Sequence, residues 1–454
     1  MKKTFLHSLL MAAAALFAVA CSKEEDKTLE GVPGTYEGRN LSVAVNNVLL
    51  DDANMSVTVS GDNRDAMTLV AKNIILGQAS YTVNDVQFRV DEYDNRIFAA
   101  DASTDCNQVT ISGKIASGKM TLSISQEGVT GVYDTESGDL TLALNNAPFS
   151  GNASVEMQGA SSSDMQMILK NVVLGADEFT LPSLTISKST AAAASHSTRE
   201  GGSLTPYNIS GSAKDAYREV SVSGQIDGTG MNLTVTVKNL GDLAGSQWKI
   251  AADPQMQVPT ILLEMETAQE SVQFGDGTMA PEEFVTSIRG LVGMMAAQYF
   301  SALQYLEFQA DGNIALLVLD PANNGAPIQI PNELIPEGAI RWYMTEGQVM
   351  FVVDAEMINM IPGGYGEIIT SFFEVKNGMV YVPLNFKKTT TGVAVYLDKA
   401  FLLQALPVVK QLLAGMEIDP SIGGIITALL PQIETIVNES TVFNVGFELE
   451  KVAQ

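Results

Sequence analysis

MTLVAKNIILGQASYTVNDVQF, residues 67–88, has a second copy in the chain, MQMILKNVVLGADEFTLPSLTI, residues 165–186. At a constant offset of 98 residues Met67 meets Met165, Lys72-Asn73 meets Lys170-Asn171, Leu76-Gly77 meets Leu174-Gly175 and Thr82 meets Thr180. The likeness extends outward from there. Gly34-Thr35-Tyr36-Glu37-Gly38 opens the first copy and Gly131-Val132-Tyr133 the second, each leading into nearly the same wording, Leu41–Asn47 and Leu140–Asn146. Apolar residues alternate there with period two, as they do in Met55–Ser60, Thr68–Ala71 and Tyr81–Val90. Such alternation turns one face of a strand to a core and the other to water.

Each copy closes with a hairpin, Val109–Ile124 and Val220–Val235, aligned at an offset of 111. The turns, Ser117-Gly118 and Asp227-Gly228, carry glycine where a tight hairpin needs a positive φ. The change of offset from 98 to 111 places thirteen extra residues in the second copy, near Ser187–Ser203, a stretch rich in Ala, Ser and Thr that is expected to be a flexible loop. Short strands at regular spacing point to two small antiparallel β-barrels or sandwiches in tandem.

The opening Gly-x-Tyr, the Lys-Asn-x-x-Leu-Gly segment and the closing Ser-Gly-x-Ile-x-x-x-x-Met-x-Leu hairpin resemble the calycin-like domain lipoproteins of the Bacteroidetes. The resemblance covers about residues 30–240. It implies lipocalin-related antiparallel barrels. Its motifs are structural, and no site residue carries over from them.

The first residues agree with export. Lys2-Lys3 precedes an almost wholly apolar Phe5–Ala20, and small residues lead into Ala18-Val19-Ala20-Cys21. This reads as a signal peptide ending at a lipobox, with Cys21 as the lipidated first residue of the mature chain; the alternative is an ordinary secretory signal with an incidental cysteine. The apolar stretch is short for a membrane span. Ser22–Lys27 is an acidic tether that resembles the export signal of surface lipoproteins in the Bacteroidetes, or else a plain solvated linker. Loss of residues 1–20 removes two lysines and no acid, taking the formal charge from -26 to -28. Phosphate backbones are repelled by such a surface, so nucleic acid is not an expected partner.

From about Gly245 the repeat is lost. Pro281-Glu282-Glu283 starts a helix with an apolar stripe at Phe284, Ile288, Leu291, Val292, Met295, Tyr299 and Leu303, and Met294 and Met295 are expected in its packing. Hairpins follow around Asp311-Gly312, Glu346-Gly347 and Asn377-Gly378. Helices are expected from Asp398 to Gly415 and from Asp419 to about Val437, then a strand over Thr441–Glu450. Ile422–Leu430 is too short to cross a membrane and is expected to pack on the sheet.

Chemical motifs are scarce. The mature chain has one histidine, His196, inside the Ala/Ser-rich insertion, which argues against histidine-based triads, Cys-His pairs and histidine-rich zinc sites. Cys106 stands before a strand without a histidine beside it and reads as structural. Gly363-Gly364-Tyr365-Gly366 reads as a loop, not a phosphate cradle. Asp91-Glu92, Asp94 and Glu282-Glu283 read as solvated faces. The run Asp91–Asn95 lacks the spacing of a calcium loop and reads as a hairpin turn. Of Trp248 and Trp342, the latter adjoins Tyr343 in an alternating strand, so one of those two rings is expected in the core and the other exposed.

The expected plan is therefore mainly β: a lipoprotein signal peptide over 1–20, lipidated Cys21 and a tether over 21–32, calycin-like domains over 33–127 and 128–240, and an α+β domain over 245–454 with an antiparallel sheet and about three helices. The expected role is a non-enzymatic, surface-exposed outer-membrane lipoprotein. It would use no cofactor, no metal and no catalytic residue, touch the membrane only through its lipid, and bind an apolar molecule or a glycan through residues the sequence does not single out. A structural or adhesion scaffold is the alternative, and a carboxylate-based glycoside hydrolase a third reading. Replacing Cys21 by Ser is expected to leave the precursor uncleaved: intact-mass analysis should find residues 1–20 attached and no acyl group, and a processed, acylated variant would refute the lipobox.

Overall fold

The structure, a computed structural model, describes Leu29 and residues 31–74, 79–189, 206–227, 230–253, 258–320, 324–333, 335–360, 365–415 and 431–452. Cys21, the acidic tether, His196, Gly363-Gly364 and Ile422–Leu430 lie outside the described residues. The protein is mainly β with curled sheets. It divides into two compact units, the first reaching to Ala213 and including Val220–Thr236, the second made of Lys214–Glu219 and Val237 onward.

The first repeat copy contributes β1 (Gly34–Glu37), β2 (Leu41–Val45), β3 (Val48–Leu49), β4 (Ser56–Ser60), β5 (Met67–Lys72), β6 (Ser80–Val90), β7 (Arg96–Asp101), β8 (Asn107–Ala116) and β9 (Lys119–Gly128). Among the described residues these form one sheet in the order β1-β4-β5-β6-β7-β8-β9-β2-β3. Consecutive β1 and β2 thus stand near opposite margins, yet only the 3-10 turn Gly38–Asn40 joins them. Three residues reach about 10 Å, so the sheet must curl until its margins lie side by side. The same crossing makes β2 run parallel to β9, Leu41 opposite Met120, inside an otherwise antiparallel sheet. Val43, Val57, Met67, Leu69, Phe98 and Leu122 fill the interior with no more than 1% of their surface exposed. Gly113 is the residue that lets them close, since a Cβ there would stand 2.2 Å from the Phe98 ring.

The second copy repeats this strand for strand, with β10 (Gly131–Asp134), β11 (Leu140–Leu144), β12 (Ala147–Pro148), β13 (Ser154–Gln158), β14 (Gln166–Lys170), β15 (Glu178–Leu181), β16 (Leu184–Lys188), β17 (Tyr207–Lys214), β18 (Arg218–Asp227) and β19 (Gly230–Asn239). Again β11 runs parallel to β19, Leu140 opposite Met231. One difference has a clear cause. Strand β6 bends at Asp85, φ 57°, and stays continuous, whereas its counterpart is cut at Pro182-Ser183 into β15 and β16, leaving two sheets. Proline has no N–H to give to a ladder. The bond from Leu184 N–H to Met165 O, 3.0 Å, survives where Met67 pairs with Val86 in the first copy.

Finer details recur as well. The Tyr36 hydroxyl donates to Gly31 O and Val32 O at 3.1 and 2.9 Å, and that of Tyr133 to Gly128 O and Val129 O at 3.4 and 3.2 Å. Asn46-Asn47 and Asn145-Asn146 have positive φ at both positions, the geometry of a two-residue hairpin turn that asparagine tolerates.

Between β9 and β10 lie only Val129 and Thr130. Buried Asn107 accepts from Thr130 N–H at 3.2 Å and from its hydroxyl at 2.9 Å, while Gln126 Nε2 donates to the same hydroxyl at 2.9 Å. The turn ahead of β8 closes with Thr104 N–H to Asn107 O, 2.7 Å, and Val129 N–H bonds to Cys106 O, 3.2 Å. At an offset of 111 the device returns: Asp215 N–H to Arg218 O, 2.9 Å, and Leu240 N–H to Tyr217 O, 2.7 Å.

The second unit adds β20 (Ser246–Ile250), β21 (Ile261–Thr267), β22 (Val272–Phe274), β23 (Gly277–Met279), β24 (Leu303–Phe308), β25 (Ile314–Asp320), β26 (Ala326–Ile330), β27 (Ile340–Thr345), β28 (Gln348–Asp354), β29 (Glu374–Lys376), β30 (Met379–Lys388), β31 (Gly392–Leu397) and β32 (Ser440–Lys451). Its main sheet runs β26-β25-β24-β20-β32-β31-β30-β28-β27, with β21 on β32 and β29 on β30. Five helices accompany it among the described residues: α1 (Pro281–Phe300), α2 (Ala355–Asn359), α3 (Tyr365–Phe372), α4 (Lys399–Gly415) and α5 (431–439).

The expected count of about three missed α2 and α3, which are too short to show an apolar stripe. Asp354 starts α2 by accepting from Glu356 N–H at 2.8 Å. Gly366 belongs to α3 and not to a loop; a Cβ there would meet Ile358 O at 2.3 Å, so glycine permits the close pass of α2 and α3. Met294 is 58% exposed, contrary to the packing expected of it, because it lies about 200° around the helix from inward Val292.

Asn107→Ala would strand the Thr130 N–H and hydroxyl in a buried place, at a cost of about 1–3 kcal/mol. Urea unfolding should show this loss, whereas Asn152→Ala, at an exposed position, should leave the midpoint nearly unchanged.

Candidate functional site: the interior of the second unit

The main sheet of the second unit curls until its far strands meet. Asn313, at the head of β25, bridges Arg341 on β27, and Trp342 N–H bonds to Gly312 O at 2.8 Å. Strand pairing then settles which side chains face inward. Trp342 lies opposite Phe351, Phe351 opposite Val382 and Val349 opposite Leu384. Phe386 lies opposite Val395, which lies opposite Phe447, with Leu397 opposite Val445. Every one of these inward positions is apolar.

Packing along this face is uneven. At one end Phe308 meets Trp342 and Phe351 edge-on, ring centroids 5.0 and 5.8 Å apart, and forms a closed aromatic floor. At the other end Phe284 and Ile288 of α1 and Ile436 and Val437 of α5 pack on Ile261, Leu263 and Phe443. Between floor and helices Val382, Leu384, Phe386, Leu397, Val445 and Phe447 are only half-buried. That contrasts with the first repeat copy, whose interior is filled.

The outward face is polar and ordered by charge. Lys387 pairs with Glu264, Asn444 Nδ2 donates to Glu264 Oε2 at 3.0 Å, and the Lys387 ammonium lies 5.3 Å from the Tyr396 ring centroid. Burial acts to raise the Glu264 carboxyl, but the hydrogen bonds from Lys387 and Asn444, with the charge of Lys387, hold it below its ordinary value. Lys249 pairs with Glu450 at 2.7 Å on the same side.

The residues the sequence singled out fall elsewhere. Asp91 caps a hairpin turn, accepting from Tyr93 N–H and Asn95 N–H at 2.9 Å each. Burial would raise its carboxyl; the Asn95 and Tyr93 hydrogen bonds and the charge of Lys114 outweigh that and lower it. Glu282 and Glu283 are exposed in the first turn of α1. No group of three or more His, Cys, Asp or Glu side chains suited to a metal ion occurs among the described residues. Trp342 and Tyr343 do point to opposite faces, yet both are buried, at 0% and 7%; the expected exposed ring is absent because the Arg218 guanidinium covers Tyr343, 6.0 Å from its centroid. Trp248, 4% exposed, also faces inward, from β20.

The half-buried row was missed at the sequence level. Its signal was present in the alternation of Phe443, Val445, Phe447 and Leu449, but alternation marks a dry face without telling whether that face is filled. Compared with family models, with curated proteins and with solved structures, the chain gives no match in any of the three.

Cys106 is fully buried, and burial pushes its thiol up from 9.0 to about 11. The folded state therefore holds this proton more tightly than the unfolded chain, a contribution to stability that is whole below pH 9 and lost as pH rises toward 11. Iodoacetamide at pH 8 should label Cys106 slowly in the native protein and rapidly in urea; equal rates would refute the burial.

Proposed function

We propose that this chain is a lipid-anchored outer-membrane protein, attached through Cys21 and facing the cell exterior, which binds an apolar small molecule inside the curled sheet of its second unit. The half-buried apolar row between the aromatic floor and the helices carries this reading. Partly open, largely apolar concavities are where small ligands bind. In this view the two repeat copies are calycin-like β domains, as their motifs suggest, and residues 245–454 are an α+β binding module. The lipobox and the acidic tether support the location. The high negative charge argues against nucleic acid, and no group of His, Cys, Asp and Glu suited to a metal occurs among the described residues, so a carrier or receptor is preferred here over an enzyme.

One observation favours a scaffold role for the tandem half. The buried side chains of its first copy leave the interior filled, with exposures of 0–7%, which suits a spacer better than a container. A glycan remains the second ligand class; the outward Tyr396, beside Glu264 and Asn444, offers it a ring and hydrogen-bonding groups.

The mature chain carrying Cys21→Ser, purified gently and analysed by native mass spectrometry, should show an extra mass that is lost on denaturation. Leu384→Gln with Val445→Thr should weaken binding of the dye 1-aminoanthracene at least about tenfold at an unchanged circular dichroism spectrum. Absence of both a bound mass and dye binding would refute the binding interior.

A further inference from the structure

Of the two tryptophans in the chain, Trp342 donates its indole N–H to Gln309 O at 2.9 Å. The indole N–H of Trp248 has no acceptor among the described residues. Trp248 belongs to the inward face, opposite Leu306 on β24, and is 4% exposed. Buried donors in folded proteins nearly always find a partner, because leaving one unmade forfeits its hydration without return. Beside it Leu306 and Ile250 are only half-buried, at the margin of the same cluster.

We propose that the Trp248 indole N–H is the polar anchor of the interior, and that the ligand is a neutral amphiphile whose hydroxyl, ester or amide oxygen accepts its hydrogen bond. This rests on the reading of the interior as a binding site. Three observations narrow the class. A plain hydrocarbon would leave the donor unpaired. An ionised carboxylate would need a buried cation, and the lysines of these strands do not supply one: Lys387 pairs with Glu264, Lys249 with Glu450 and Lys388 with Asp242, and Lys451, opposite Trp248, is exposed at the end of β32. Finally, a formal charge of -26 disfavours the approach of an anion at low ionic strength. What remains is an uncharged chain ending in an acceptor, held by one directional bond in an apolar wall.

The test is displacement of 1-aminoanthracene from the mature chain carrying Cys21→Ser by three probes of equal length: dodecanol, dodecane and dodecanoate. Dodecanol is expected to bind about fivefold more tightly than dodecane, the return of one hydrogen bond, with dodecanoate weaker than dodecanol. Trp248→Phe should abolish the preference for the alcohol while leaving dodecane within about twofold of wild type. Trp342→Phe leaves Trp248 as the sole indole, whose emission should move to the red with dodecanol and stay in place with dodecane. A preference that survives Trp248→Phe, tightest binding of dodecanoate, or equal binding of dodecanol and dodecane with no emission shift overturns the anchor but leaves the interior as a site. Failure of all three probes to displace the dye from wild type removes the interior and the anchor together. If Trp248→Phe loses dodecane as well, the emission titration in Trp342→Phe decides, a shift upholding the anchor and its absence overturning it.

Discussion

The sheets of this protein are held to their curl by connections too short to span an open one. In the first repeat copy, Gly38–Asn40 alone carries the chain from β1 at one margin to β2 near the other. In the second unit, the bond from Trp342 N–H to Gly312 O closes the gap between far strands. A curled sheet has an inside, and the period-two alternation of its strands then assigns every second residue to it. Burial of apolar surface, the main favourable term in folding, follows from that geometry. What distinguishes the curls is how completely they are filled. Met67, Phe98 and Leu122 close the first, whereas Leu384, Val445 and Phe447 of the second unit are only half-buried, at the margins of its two clusters.

Much of this was legible beforehand. Alternation in Leu41–Asn47 and its copy and the Asp-Gly, Glu-Gly and Asn-Gly turns each act over a few residues, so the sequence displays them directly; the paired asparagines, read as the ends of those strands, are turns instead. Helix α1 was legible for the same reason, its stripe running through Phe284 and Ile288. What was hidden depends on contacts between residues distant in the chain. The parallel pairing of β2 with β9 joins Leu41 to Met120, and no local pattern marks it. The burial of Tyr343 depends on Arg218, 125 positions away. Gly366 looked like loop glycine because the backbone of α2 that it makes room for is not its sequence neighbour in any periodic sense. The half-buried interior row was hidden too, since a strand reads alike over a packed core and over an unfilled one.

Polar groups divide by face with little exception. Outward, Lys387, Glu264, Asn444 and Tyr396 satisfy one another across four strands. Inward, the rows are mostly apolar, with Ser246 and Lys451 near their ends, and the Trp248 indole N–H is left without an acceptor among the described residues. Buried polar groups are also used to fix chain geometry: Asn107, Gln126 and Thr130 hold the passage from β9 to β10 with hydrogen bonds that leave no donor of Thr130 unmatched. Such networks are costly when half made and rigid when complete.

The exit turn bears on how such a chain can grow. Thr104–Asn107 grips Val129, and at the matching distance Asp215–Arg218 grips Leu240; the first grip precedes another copy and the second precedes something unrelated. The grip engages the backbone of the strand-end that follows, through the carbonyls of Cys106 and Tyr217, and in the second copy Arg218 adds a side-chain contact to Tyr343 of the segment beyond. A duplication that carries its own fastener can be spliced ahead of a foreign sequence with little refitting, here the exchange of Asn107 for Arg218 at the matching position. Length in such a protein is therefore cheap to vary, and chains with one copy, or three, ahead of the same terminal module would be expected to fold as readily as this one.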